Sequence, residues 1–325
     1  METPRLRRKA AIVLATLVAG GGAVAYARYR PTLERAHERI STGGRIAASR
    51  CGPIEYAEAG EGPPVLVVHG AGGGFDQGLE LGEGLARAGF RVIAPSRFGY
   101  LRTPLPADAS AEEQADAHAC LLDALGVERA AIVGVSAGAP SALQLALRHP
   151  DRVRALLLLV PAVYAPPSDR APARASHTMM LLLDTALRFD FLFWAASQVA
   201  HDTFVRSILG TPPELVARAP APEQARIQQV LDHILPVSPR RMGLLNDARV
   251  VSALPRYDLE KIAAPTLAIS AADDLYGTFP GARYTALHIP HARFIGYPSG
   301  GHMLVGRNAD AFAEIVPFLK AAKQP

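Results

Sequence analysis

The chain has 325 residues, of which 49% are hydrophobic and 20% charged; that composition suits a protein with a large buried core and excludes a disordered one. Its formal net charge of +4 is owed largely to Arg5, Arg7, Arg8, Lys9, Arg28 and Arg30 near the N-terminus. The rest is close to balanced, no basic run interleaved with aromatics follows, and a nucleic-acid partner is therefore not expected.

The basic residues flank a charge-free run from Ala10 to Ala27, 18 residues long, near the lower limit for a helix that spans a bilayer. The length of that run predicts that segment 1–30 is an uncleaved membrane anchor, a transmembrane helix, and with four cations ahead of it the positive-inside rule puts the rest of the chain on the extracytoplasmic side. The alternative is a cleaved signal and a secreted protein, because Ala25-Tyr26-Ala27 has the small-x-small pattern of a cleavage site. Residues 31–44, with Glu34, Arg35, Glu38 and Arg39 at helical spacings, read as a solvated spacer.

From Arg45 the pattern turns to short β-prone runs. Arg45 to Ser49 and Ile54 to Glu58 flank Cys51-Gly52-Pro53 as a hairpin would. Val65–Val68, Val92–Ala94, Ala131–Val133 and Ala155–Val160 are continuous apolar runs, the signature of strands covered on both faces. Helical spacing of apolar residues over Leu79–Ala88, Ala111–Leu125 and Ala137–Arg148 separates them, predicting a doubly wound, mostly parallel sheet with helices on both faces. The alternation stops after Val160. Residues 161–255 read as an inserted helical unit, and 45–160 with 256–325 as the core, closed by a strand at Arg293–Gly296 and a helix at Ala309–Ala322. Two cysteines, Cys51 and Cys120, permit one disulfide, but the helical setting of Cys120 favours a buried thiol packed as a small hydrophobe.

Chemistry concentrates at strand ends. Gly134-Val135-Ser136-Ala137-Gly138 falls between a strand-like and a helical run, where a strained turn projects a serine hydroxyl from the sheet; chance supplies about 0.1 such pentapeptide in a chain of this length. A serine hydroxyl needs a base and a group that holds the base. His302, in Gly300-Gly301-His302-Met303 after the last strand, is the candidate base. Asp273 and Asp274, just after the strand Thr266–Ser270, are the candidate acids, in the chain order Ser, Asp, His. The loop His69-Gly70-Ala71-Gly72-Gly73-Gly74 brings backbone amides close to a ligand; without a following Gly-Lys-Ser/Thr it does not read as a phosphate loop. His118, His149, His201, His233, His288 and His291 lack metal-ligand spacing, so neither metal nor cofactor is expected.

These motifs resemble the α/β-hydrolase superfamily from about Arg45 to the C-terminus, apart from the insertion, which corresponds to a helical cap. The resemblance implies the α/β-hydrolase fold and a catalytic triad of Ser136, Asp274 and His302, with Asp273 as the alternative acid. It also implies an oxyanion hole from the amides of Ala71 and Ala137, with His69 buttressing the loop. Ser96 stands where many relatives carry an aspartate before Arg97, which puts the geometry of that loop in question. Relatives that use aspartate as nucleophile are set aside by Ser136. A carboxylesterase- or lipase-like serine hydrolase acting on a small, apolar acyl substrate is then expected; a silent binding protein and a cofactor-free haloperoxidase are the alternatives. Phe189, Phe191, Phe193 and Trp194 suit an apolar pocket or the packing of the cap itself.

Overall fold

The structure, a computed structural model, describes residues 4–166 and 184–322, with side chains described from Gly20 onward. Its centre is an eight-stranded sheet in the order β1-β2-β4-β3-β5-β6-β7-β8. The strands are β1 (Arg45–Ser49), β2 (Gly52–Ala59), β3 (Pro64–Val68), β4 (Arg91–Pro95), β5 (Ala130–Val135), β6 (Val153–Leu159), β7 (Thr266–Ala271) and β8 (Arg293–Tyr297). β1 and β2 form the antiparallel hairpin expected around Gly52, and β2 also pairs antiparallel with β4. All pairs from β4 through β8 are parallel. This is the α/β-hydrolase fold.

Alternation along the strands divides the core into two layers. Leu66 and Val68 of β3, Ile93 of β4 and Ile132 of β5 face Leu121 and Leu122 of α3 (Ala111–Ala124) and Leu143 and Leu145 of α4 (Ala139–Arg148). Val65, Val67, Val92, Ala131 and Val133 point the other way, toward Leu85 of α2 (Phe75–Arg87) and Ile315 and Leu319 of α11 (Asn308–Ala321). With both faces covered, each fully buried Leu or Ile contributes about 1.5–3 kcal/mol of apolar transfer. The helix α10 (Thr278–His288) had no sequence expectation. Its Gly and Pro content masks it, yet Pro280 lies in the first turn, where a missing N–H breaks no intrahelical bond.

Between β6 and β7 come α5 (Asp190–Val199), α6 (His201–Ser207), α7 (Pro213–Arg218), α8 (Ala221–His233) and α9 (Arg241–Val251). Val205, Val216, Ile227 and Leu231 form their own buried cluster. The expected aromatic group is used for packing: Phe193 meets Phe204 at 5.2 Å, Phe191 and Trp194 meet Tyr29 at 5.1 and 5.5 Å, and Phe189 is exposed.

Two expectations require correction. The N-terminal segment is not a transmembrane anchor, and the membrane contact and extracytoplasmic placement built on it fall with it: among the described residues, no helix is long and apolar enough to cross a membrane. The helix does not stop at the end of the charge-free run. It continues as α1 (Pro4–Thr42), and its second half lies on the protein, with Tyr29 and Ala36 buried against Trp194 and Leu235. Residues 31–42 are thus part of a docked helix, and Arg39 anchors it by donating to Asp76 Oδ2 at 3.1 Å and to the His233 and Leu235 carbonyls. Second, Cys51 and Cys120 are bonded to each other, with their Cα atoms 6.0 Å apart. The hairpin turn brings Cys51 over α3, a contact invisible to local pattern.

Candidate active site

Ser136 stands at the C-terminal end of β5, in a 3-10 turn that leads into α4. Its φ is +49°, a left-handed conformation that costs on the order of 1–3 kcal/mol in a non-glycine residue. Glycine is required on either side. A Cβ on Gly134 would lie 2.6 Å from the Ala142 Cβ, and one on Gly138 would lie 2.5 Å from the Val68 carbonyl oxygen. The two glycines therefore let α4 close on β5 and the end of β3 close on the turn.

His302 and Asp274 converge on this serine from two other loops. His302 Nε2 lies 2.9 Å from Ser136 Oγ, and Nδ1 lies 2.8 Å from Asp274 Oδ2. Ser136 therefore donates to Nε2 while the Nδ1–H donates to the carboxylate. Asp274 and His302 are buried. Asp274 Oδ1 accepts the Tyr276 N–H at 2.8 Å, and Oδ2 also accepts the Thr278 hydroxyl. With that hydrogen committed, Ser270 donates to Thr278 Oγ1 at 2.9 Å. Of the two acids, Asp273 does not reach the imidazole. It accepts from the Gly300 and Gly301 N–H groups at 2.9 and 2.7 Å and from the Ser299 hydroxyl at 2.8 Å, tying down the loop that carries His302.

The glycine loop lies directly over the serine: a Cβ on Gly70 would be 3.2 Å from the Ser136 Cβ. Ala71 is exposed on that loop, and Ala137 is buried beside Ser136. His69 beneath them is fully buried. Its Nδ1–H donates to the Gly70 carbonyl at 2.7 Å, and its Nε2 accepts the Arg97 N–H at 3.0 Å. Burial and the neighbouring Arg97 guanidinium hold its pKa well below the usual 6.5, so it is a neutral brace.

Arg97 extends that brace. It donates to the His69 and Gly70 carbonyls at 2.9 and 3.1 Å and makes a two-pronged pair with Asp247 of α9 at 2.6 and 2.7 Å. Tyr100 donates to Asp247 at 2.6 Å and accepts the Gly72 N–H at 3.2 Å. Ser96 donates to the buried Glu55 at 2.8 Å and accepts the Phe75 N–H at 3.1 Å, so the turn into α2 stays ordered. Sequence reasoning did not find Asp247, Thr278 or Tyr276. The hydroxyl four residues past Asp274 was the only local signal, and Asp247 lies 150 residues from Arg97.

With this geometry in place, comparison with known proteins gives the family. The chain belongs to the alpha/beta hydrolase fold family, whose model matches residues 63–309, and it is a hydrolase of that family. It is 27% identical over 274 residues to the uncharacterised hydrolase YcgS of Bacillus subtilis, covering 79% of this chain and 91% of the relative. A 106-residue stretch is 42% identical to the 2-hydroxymuconate semialdehyde hydrolase of Pseudomonas putida, covering 31% of this chain and 37% of that enzyme. Among solved structures, an alpha/beta hydrolase fold protein from Nakamurella multipartita superimposes with a TM-score of 0.68 at 28% identity, over 86% of this chain and 99% of that one.

Proposed function

We propose that this hydrolase is a serine esterase that cleaves an ester or related acyl bond of a small, apolar substrate through an acyl-enzyme. The carrying observation is the unbroken relay from Ser136 Oγ through both nitrogens of His302 to Asp274. In this reading His302 Nε2 takes the proton as Ser136 Oγ bonds to the acyl carbon. Asp274 holds the tautomer and stabilises the imidazolium. The Ala71 and Ala137 amides receive the oxyanion, each worth a few kcal/mol in the transition state. The imidazolium then protonates the departing alkoxide, and water, deprotonated by the same histidine, releases the acid. Support for an apolar substrate comes from Ile234 and Leu244, which stand over Gly72 of the oxyanion loop.

A fluorophosphonate probe tests the reading, with p-nitrophenyl esters from acetate to palmitate as substrates. Labelling and turnover that vanish in Ser136→Ala and His302→Ala are the expected result. Ester turnover that survives Ser136→Ala would remove the serine from the mechanism.

A further inference from the structure

Residues 207–211 join the inserted helices to both loops, the one carrying Asp274 and the one carrying His302, while Arg226 of α8 adds a bond to the Met303 carbonyl at 2.8 Å. The Gly210 carbonyl accepts both the Leu275 N–H at 2.9 Å and the His302 N–H at 3.2 Å. Next to it, the Thr211 hydroxyl, fully buried, accepts the Met303 N–H at 3.1 Å and donates to the Leu209 carbonyl at 2.9 Å. The Tyr276 hydroxyl faces the carbonyls of Ile208 and Ser207 at 2.9 and 3.1 Å. Its ring meets the imidazole of His302 edge to face, with centroids 4.8 Å apart and planes at 88°.

The segment fits closely. Gly210 has φ +54°, and a Cβ there would sit 2.6 Å from the Tyr276 ring and 3.1 Å from the His302 Cβ. Consecutive amides at 302 and 303 are thus fixed by neighbouring acceptors of the insertion, while the Tyr276 ring limits the swing of the imidazole. A general base displaced by about 1 Å loses on the order of a hundredfold in rate.

We propose that Tyr276 and Thr211 are positioning residues for His302, through which the seating of the inserted helices sets the geometry of the base. The inference rests on the reading of Ser136 and His302 given above. Neither side chain need touch substrate: the insertion completes the site by holding the base loop, so that an unseated insertion leaves Ser136 without a correctly aimed proton acceptor.

The test compares Tyr276→Ala, Tyr276→Phe and Thr211→Val with wild type, after circular dichroism and melting have shown which variants fold. Fluorophosphonate labelling rates and kcat and KM on p-nitrophenyl acetate are the readouts. Tyr276→Ala should lower both labelling rate and kcat by roughly 10- to 100-fold with KM within about twofold. Tyr276→Phe, which keeps the ring against His302, should recover most of that loss. Thr211→Val should fall between them. A folded Tyr276→Ala or Thr211→Val that labels and turns over at the wild-type rate overturns the proposal, as does a loss confined to KM. If Tyr276→Ala does not fold, Thr211→Val decides alone. Wild-type protein that labels at Ser136 while the variants match it sinks only the positioning inference; wild-type protein that does not label sinks the esterase reading, and this one with it.

Discussion

Asp247 grips both terminal nitrogens of Arg97, at 2.6 and 2.7 Å, although the two residues lie 150 positions apart and on different parts of the fold. Both are buried. Burial works to lower the Arg97 pKa, but the Asp247 carboxylate outweighs it and raises the pKa above the ordinary guanidinium range, so the guanidinium stays charged. Asp247→Ala would strand that charge. We expect a loss of about 3–5 kcal/mol, read as a lower urea midpoint, together with reduced activity because Arg97 also holds the His69 and Gly70 carbonyls. A loss below about 1 kcal/mol would show that Arg97 finds another partner.

The neighbouring acids should separate cleanly in kinetics. Asp274→Ala removes the acceptor of His302 Nδ1, and kcat should fall by about four orders of magnitude, the scale for an orienting carboxylate. Asp273→Ala acts only through the loop 299–301 and should cost about tenfold, the scale of a displacement well under 1 Å. Thr278→Val, which removes one donor to Asp274 Oδ2, should also cost about tenfold in kcat with KM unchanged. Equal losses at 273 and 274 would contradict this division of labour.

The Cys51–Cys120 bond spans a sequence separation of 69 residues. Constraining an unfolded loop of that length stabilises a protein by up to about 4 kcal/mol in the chain-entropy account. Replacing both cysteines by serine, or adding reductant, should lower the melting temperature. Any turnover of p-nitrophenyl acetate at 25 °C should persist, because the bond joins the β1–β2 hairpin to α3, away from Ser136. An unchanged melting temperature would show that the hairpin is held as firmly by its other contacts.

Acid stability should carry the signature of Asp76. Burial alone would raise its pKa, but Arg240 and Arg39 outweigh that cost and bring it to about 2, from an ordinary 3.8. A depressed folded-state pKa stabilises above the unfolded value and loses its effect as pH falls toward the folded one. About 2 kcal/mol should therefore disappear between pH 4 and pH 2. Urea midpoints measured across that range should fall less steeply in Asp76→Asn than in wild type.

Much of the architecture was legible from the sequence because it is local. Continuous apolar runs such as Val65–Val68 mark strands covered on both faces, and the pentapeptide around Ser136 marks its turn through the steric demand for glycine. What escaped were relationships set by tertiary packing. Nothing in the Asp273-Asp274 pair itself says which carboxylate faces His302; the backbone between Ala271 and Gly277 decides it. The charge-free run at 10–27 resembled a membrane span because hydropathy is blind to what a helix does farther along. Only the fold shows Tyr29, Ala36 and Arg39 set against the protein. Asp247 and Thr211 left no signal, since their partners are distant in sequence.

The docking of α1 also bears on biosynthesis. Arg39 binds the Leu235 carbonyl, 196 residues farther along the chain, and Tyr29 and Ala36 rest on Trp194 and Leu235. On a ribosome that adds about 5–20 residues per second, α1 waits on the order of tens of seconds for the surface that receives it. During that interval its apolar side is open to any chaperone within reach, and α1 can dock only after Trp194 and Leu235 have followed it into place.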